Sequence, residues 1–224
     1  MSFYPICLDL AGRPCIVVGG GRVAERKVMG LLASSAQVSV ISPELTEVLL
    51  QYHNDGSIGW INREYRTGDL EGAFLVIAAT DDQQTQKQVH DEAAAHNLLL
   101  NVADVPQLCN FILPAAVRQG DLTISISTAG KSPALARKLR IELEKRFGAE
   151  YRVLVDILGV LRPVILASGL EQSDNEQLFK QLLHDDMADW IRNKDWSSME
   201  NHFAKVLRDR AGDDWLQKIR PFYL

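Results

Sequence analysis

The stretch Cys15-Ile16-Val17-Val18-Gly19-Gly20-Gly21-Arg22-Val23-Ala24-Glu25-Arg26-Lys27 constrains this chain more than any other. A short apolar run meets three glycines, and Val23, Val28, Leu31 and Leu32 then recur at helical spacing. The pattern predicts a strand that turns tightly into a helix. Its spacing is G-x-G-x-x-A. Gly19 suits the backbone angles of the turn, Gly21 lets the main chain approach a pyrophosphate, and Ala24 is small enough for the helix to pack on the strand. Free N–H groups at the start of the helix, together with its dipole, favour an anion there. Because the strand before and the helix after are both present, the segment reads as a dinucleotide phosphate cradle rather than a plain chain reversal.

The helix should run from Arg22 to about Ala33. A second strand over Gln37–Ser42 would lie parallel to the first through a right-handed crossover. Many NAD-binding units carry an acid at the end of that strand to bond the adenosine ribose. Here the strand end is Ile41-Ser42-Pro43-Glu44, so Glu44 alone lies close, while Arg22 could neutralise a pyrophosphate or a 2′-phosphate. NAD and NADP both remain open, with Glu44 tipping the balance toward NAD.

A helix is expected over Glu44–His53, an edge strand over Ile58–Ile61, and a strand buried on both faces over Ala73–Thr80. Thr80, Asp81 and Asp82 follow it; an aspartate there either caps the next helix, Gln83–His96, or touches cofactor. Ligands of open α/β sheets bind beyond the carboxyl ends of the strands, so Thr80 and Asp81 should face the same crevice as the glycines. The strand Leu98–Val102 brings out Asn101 and Asp104 by the same rule. Asp104 is either an acid at the nicotinamide end or a residue that turns the chain before Pro106.

The sheet logic changes near Asn110. Leu122, Ile124 and Ile126 alternate with Thr123, Ser125 and Ser127 as in a half-buried, antiparallel strand. Ser132 should cap a helix with Pro133 at its first position, and Ala136, Leu139, Leu143 and Phe147 give that helix one apolar face. The loop before it, with Thr128, Gly130, Lys131 and Ser132, suits an anion such as a substrate carboxylate, or is simply a capped helix entry. From Glu150 to Lys218 the chain reads helical, with breaks at Arg162-Pro163, Ser168-Gly169, Ser173-Asp174-Asn175 and Ala211-Gly212. Trp190, Trp196 and Trp215 are packing residues of a helical bundle.

Composition excludes several classes. A formal net charge of -5 leaves no electrostatic footprint for nucleic acid, and the basic residues around Arg137, Lys138, Arg140 and Arg146 read as a solvated helix face. No apolar run is long enough to cross a bilayer and no basic-then-apolar leader opens the chain, so a cytoplasmic location is expected. The 3 cysteines, Cys7, Cys15 and Cys109, form neither a disulfide framework nor a zinc site and are expected in or near the core. The 5 histidines lack metal-ligand spacing. No G-x-S-x-G elbow accompanies the serines of 125–132, which argues against a hydrolase.

Gly19-Gly20-Gly21-Arg22-Val23-Ala24-Glu25-Arg26-Lys27, Ala78-Ala79-Thr80-Asp81-Asp82, Asn101-Val102-Ala103-Asp104, Phe111-Ile112-Leu113-Pro114 and Ser127-Thr128-Ala129-Gly130-Lys131-Ser132-Pro133 together resemble the precorrin-2 dehydrogenase family. Its members include stand-alone sirohaem-pathway enzymes and the N-terminal region of sirohaem synthase. The resemblance covers the chain from Pro5 to about Phe147.

The resemblance, together with the helical pattern of the tail beyond it, implies an α/β chain in three parts. A Rossmann-type parallel-sheet domain that binds NAD occupies 1–109, a small α+β dimerisation segment 110–148, and a helical domain 149–224. It implies oxidation of precorrin-2 to sirohydrochlorin, followed in some members by ferrous ion insertion as in a sirohydrochlorin ferrochelatase, and a homodimer. The family's catalytic aspartate corresponds to Asp104. Cofactor contacts correspond to Gly19, Gly20, Gly21, Arg22 and Val23, then Ser42, Pro43 and Glu44, with Thr80 and Asp81 beyond. Asn101 and the loop carrying Thr128, Gly130, Lys131 and Ser132 border the tetrapyrrole. Thr128 stands where some relatives have a modifiable serine. With no methyltransferase region after Leu224, methylation is expected from a separate protein. An NAD(H) sensor without turnover and a chelatase without a redox step are the competing readings; a sensor needs only the glycine loop, whereas Asp104 and the 128–133 loop make a second pocket for a reactant.

Overall fold

The computed structural model describes residues 3–169, 171–207 and 214–223. The chain divides into two units, 1–113 and 114–224.

The first unit is a five-stranded sheet with strand order β3-β2-β1-β4-β5. The strands are β1 (Pro14–Val18), β2 (Gln37–Ile41), β3 (Ile58–Ile61), β4 (Leu75–Ala78) and β5 (Leu99–Val102). All four pairings are parallel, with Val18 opposite Ile41 on one side and Ala78 on the other. Each parallel step needs a crossover, and α1 (Arg22–Leu32), α2 (Glu47–Asn54) and α3 (Gln83–Ala95) supply three of them. Covered on both faces, the central strands are apolar without alternation: every residue of β4 is buried, while edge strand β3 is largely open. Ala24 is fully buried within the cluster of Val17, Val28, Val40 and Leu49, as its small side chain predicts.

Two details depart from the expected boundaries. The helix α2 starts at Glu47, not Glu44, because residues 42–46 close over the glycine loop: the Thr46 backbone N–H donates to the Gly20 carbonyl at 3.0 Å. Thr46 then caps α2 by accepting from the Leu49 N–H at 3.3 Å, and its hydroxyl donates to Glu25 Oε2 at 2.7 Å. Cys15 is buried and Cys109 half-buried, but Cys7 is exposed on the open lead-in that also leaves Tyr4 87% exposed.

Between β3 and β4 the chain runs without regular structure and is held by carboxylates. Glu92 on α3, 6% exposed, accepts from the Gly68 and Leu70 N–H groups, both at 2.9 Å, and from the Tyr65 hydroxyl. Arg63 forms a two-pronged pair with Asp69, each N–O distance 2.7 Å.

The second unit opens with an antiparallel hairpin, β6 (Ala115–Gln119) and β7 (Leu122–Ile126), Val117 opposite Ile124. β7 agrees with its alternating pattern; β6 has no such pattern and is recruited by its partner. Ser132 caps α4 (Pro133–Arg146), accepting from the Leu135 N–H at 3.2 Å with Pro133 in the first turn. Then come α5 (Glu150–Leu166), α6 (Gln172–Leu182), α7 (Met187–Arg192), α8 (Trp196–Leu207) and α9 (Trp215–Ile219). Their core is built on Ile157, Leu161, Ile165, Met199 and Phe203, all fully buried. Trp215 is buried in it, and Trp196 stacks on Tyr223 with ring centroids 4.4 Å apart.

Two of the expected breaks do not occur. Pro163 lies inside α5, and Ser173, Asp174 and Asn175 lie in the first turns of α6. Leu161 and Ile165, buried on either side of Pro163, hold α5 to the core through the lost backbone bond, and polar residues suit a helix start as well as a turn. The break at Ser168-Gly169 is present, Gly169 taking φ +73°. Ala211-Gly212 lies outside the described residues.

Candidate functional site

The carboxyl ends of the parallel strands surround a cavity of about 600 Å³ in the first unit. Four segments line it. The β1–α1 loop gives Gly19, Gly20, Gly21, Arg22 and Val23; the end of β2 gives Ser42; the β4–α3 connection gives Ala79, Thr80, Asp81, Gln83 and Gln86; and the turn after β5 gives Ala103, Asp104 and Val105. β1 sits between β2 and β4, so the cavity lies where the strand order reverses, the usual ligand position of such sheets.

The three glycines have different tasks. Gly19 takes φ +113°, and a Cβ on it would stand 2.5 Å from the Ala79 carbonyl oxygen. Gly20 is pressed against the chain leaving β2: a Cβ would run into the Glu44 carbonyl oxygen and come within 2.8 Å of Ser42 Oγ. Gly21 precedes α1, and a Cβ there would meet no protein atom within 4 Å. Its open side and the N–H groups of the first turn of α1 fit a pyrophosphate. The need for glycine at position 20 is invisible in the motif, since it comes from a segment more than twenty residues away.

On the β2 side, Ser42 is 8% exposed and lines the cavity; its carbonyl accepts from Trp60 Nε1 at 2.9 Å. Pro43 and Glu44 are exposed beside it and do not line the cavity. On the β4 side, Asp82 caps α3, accepting from the Thr85 N–H at 2.7 Å, and the Thr85 side chain together with that N–H holds its carboxyl below the usual range. Asp81 and Thr80 are left to the cavity wall.

Asp104 is exposed at φ +60°, a left-handed conformation that aspartate tolerates better than most residues. Its carboxylate makes no hydrogen bond among the described residues, and the turn around it is fixed from below. Cys109 Sγ donates to the Val102 carbonyl at 3.3 Å, and the Val102 N–H lies 3.1 Å from the same sulfur. Asn101, expected at the crevice, is 8% exposed and spends its amide on the Phe111 carbonyl at 3.1 Å, so it secures this turn and does not line the cavity.

Sequence reasoning gave no role to Lys27. It is half-buried one helical turn beyond Val23, and burial and neighbouring Arg26 lower its ammonium pKa, while the fields of Asp104 and Cys109 oppose that shift. Gln83 and Gln86 were also missed; side chains of a helix's first turns are brought to a cavity by the strand before them, which no local pattern reports.

In the second unit, Thr128 Oγ1 accepts from the Ser132 N–H at 3.1 Å, Gly130 takes φ +80°, and Lys131 is exposed. The loop holds its own shape and presents one cation.

Comparison with known proteins agrees with this architecture. Residues 6–115 match a family model described as putative NAD(P)-binding, and residues 119–146 one described as sirohaem biosynthesis protein central. A sirohaem synthase of Methylobacillus flagellatus is 41% identical over 165 residues, covering 74% of this chain and 35% of the relative. Another, from Photorhabdus laumondii, is 33% identical over 207 residues, 92% of this chain and 44% of the relative. This chain thus spans less than half the length of these relatives. The solved structure of SirC, precorrin-2 dehydrogenase, shares the fold: TM-score 0.77 at 24% identity, over 91% of this chain and 98% of that one. An NAD(P)-binding sheet followed directly by the sirohaem-specific central segment is the arrangement that the motifs announced, and the chain belongs to the sirohaem synthase family of sirohaem-biosynthesis proteins.

Proposed function

We propose that this chain is an NAD-dependent dehydrogenase that oxidises precorrin-2 to sirohydrochlorin. One observation carries the reading: the glycine loop and the Asp104 carboxylate line the same cavity. A domain that only sensed NAD(H) would need the loop but no carboxylate on the cavity wall beyond β5.

The reaction removes two electrons and two hydrogens from the partly reduced macrocycle. Bound NAD supplies the acceptor for one hydrogen as hydride. The other leaves as a proton, and Asp104, whose carboxylate makes no hydrogen bond among the described residues, is the base that takes it. Gly19, Gly20 and Gly21 give the cofactor access to the α1 N-terminus, Arg22 adds charge against the pyrophosphate, and Val23 and Ser42 shape the floor. Thr80 and Asp81 border the cofactor from the β4 side. Precorrin-2 is a polycarboxylate, which suits the exposed ammonium of Lys131; Thr128, Gly130 and Ser132 keep that loop in shape, and Asn101 acts through the turn it secures.

Two further points belong to the proposal. The segment 110–148 pairs with a second copy, since a lone two-stranded sheet is marginal and α4 exposes Leu135 and Ile141 by 48% and 39%. Ferrous ion is a second substrate, drawn to the same Asp104 carboxylate.

Anaerobic absorbance with precorrin-2 and NAD, followed by addition of ferrous or cobaltous ion, tests these steps. NADH formation in the wild type and its loss in Asp104→Ala are expected. A wild type that binds NAD but forms no NADH replaces this reading with the sensor, and metal insertion in the absence of the redox step replaces it with the chelatase.

A further inference from the structure

Gln86 combines three properties that no other residue of the cavity wall shares. It is 7% exposed, it lines the cavity, and among the described residues only one end of its amide has a partner. Nε2 donates to the Thr80 carbonyl at 2.7 Å. A carbonyl accepts and never donates, so this contact settles which end of the amide is nitrogen. Oε1 is then fixed too, and among the described residues no group donates to it. Gln86 lines the cavity with its Nε2 held by Thr80, so Oε1 is the end of the amide left for a donor on a ligand there.

The topology says which part of a dinucleotide would meet it. In parallel sheets of this kind the adenosine ribose lies at the end of β2 and the pyrophosphate at the N-terminus of α1. β2 and β4 flank β1 on opposite sides. The remaining half of the molecule therefore extends over β4 and β5, where Gln86 and Asp104 stand.

We propose that Gln86 is a specificity residue for the nicotinamide-riboside half of the cofactor, its Oε1 accepting a hydrogen bond from a hydroxyl or carboxamide N–H of that half. The inference rests on the dinucleotide reading of the cavity. It makes the β4–α3 connection a reader of the reactive end and not only a turn, and it needs no charge.

Calorimetric titration of wild type and Gln86→Met with NAD and with ADP tests it, ADP carrying the adenosine and pyrophosphate alone. NAD should bind about tenfold more weakly to the variant, with ADP unchanged, the loss expected of one buried hydrogen bond. Unchanged NAD affinity overturns the inference, and so does an equal loss for both ligands, which would mean that Gln86 merely braces the loop. A wild type that binds neither ligand overturns the dinucleotide reading instead. Should Gln86→Met not fold, the side-chain amide resonance of Gln86 in the wild-type protein gives the same answer: it should move with NAD and stay still with ADP, and any other pattern counts against the proposal.

Discussion

Gly20 and Glu44 touch through their backbones: the Cα of the glycine faces the Glu44 carbonyl oxygen with no room for a methyl group, and the Gly20 carbonyl in turn accepts from the N–H of Thr46. Gly21, the next residue, faces open space. The two positions should therefore fail differently. Gly20→Ala has to displace backbone, costing roughly 1–3 kcal/mol, and should lower both the melting temperature and NAD affinity. Gly21→Ala should melt like the wild type yet bind NAD about tenfold more weakly or worse, because its methyl group projects toward the pyrophosphate. Parallel melting curves and titrations separate the two effects.

Asp104→Asn is the cleaner test of the base, since asparagine accepts the left-handed backbone as readily as aspartate does. Turnover should fall by about 10²–10⁴, the usual contribution of a positioned base, while NAD binding is retained. Asp104→Ala adds backbone strain and should also cost stability, so a comparison of the two variants by turnover and by urea unfolding distinguishes chemistry from folding.

Glu92 anchors the irregular segment between β3 and β4 through three donors. Removing it in Glu92→Ala leaves the Leu70 N–H and the Tyr65 hydroxyl unpaired in a buried place and the Gly68 N–H unpaired in a part-buried one. The loss should be about 3–5 kcal/mol, the range for breaking a buried charged network. Tyr65→Phe removes one hydrogen bond to a charged group and should cost about 1.5–3 kcal/mol. Burial and the adjacent Glu92 carboxylate push the Tyr65 phenol well above its ordinary value, so that hydroxyl remains a donor across the physiological range. Urea midpoints for the two variants check the order.

Stability toward acid should depend in part on Asp69. Hydrogen bonds from Arg63 hold its carboxyl below the ordinary value of 3.8, against an opposing push from burial. A folded pKa below the unfolded one contributes stability that is complete above about pH 4 and disappears as pH falls through the folded value. Asp69→Asn should therefore be less stable than wild type at neutral pH, with the difference shrinking below about pH 4. Unfolding curves at a series of pH values measure that convergence.

The sequence made the first unit legible where one local pattern decides the outcome. β1, α1 and β2 follow from an apolar run, a glycine cluster and helical spacing, and Asp104 follows from the rule that loops at carboxyl strand ends meet. It was silent where the cause lies far along the chain. Residues 115–119 become β6 only because β7 offers a partner, Pro163 stays helical only because Leu161 and Ile165 are buried around it, and Gly20 is required only by Glu44. Gln86 was missed for the same reason: on α3 it looks like any polar helix residue, and its burial depends on where β4 delivers the helix.

The reversal of strand order between β1 and β4 makes the cavity divisible. Each wall comes from a separate connection at a strand end: the glycine loop is pressed against two of them, at Ala79 and Glu44, whereas among the described residues no hydrogen bond ties the turn carrying Asp104 to that loop. A substitution in the turn carrying Asp104 can therefore act without disturbing the phosphate loop, whereas one at Ala79 or Thr80 reaches Gly19 directly. Among relatives that keep the same sheet, the turn after β5 is thus the wall that can change alone, while the other three must change together.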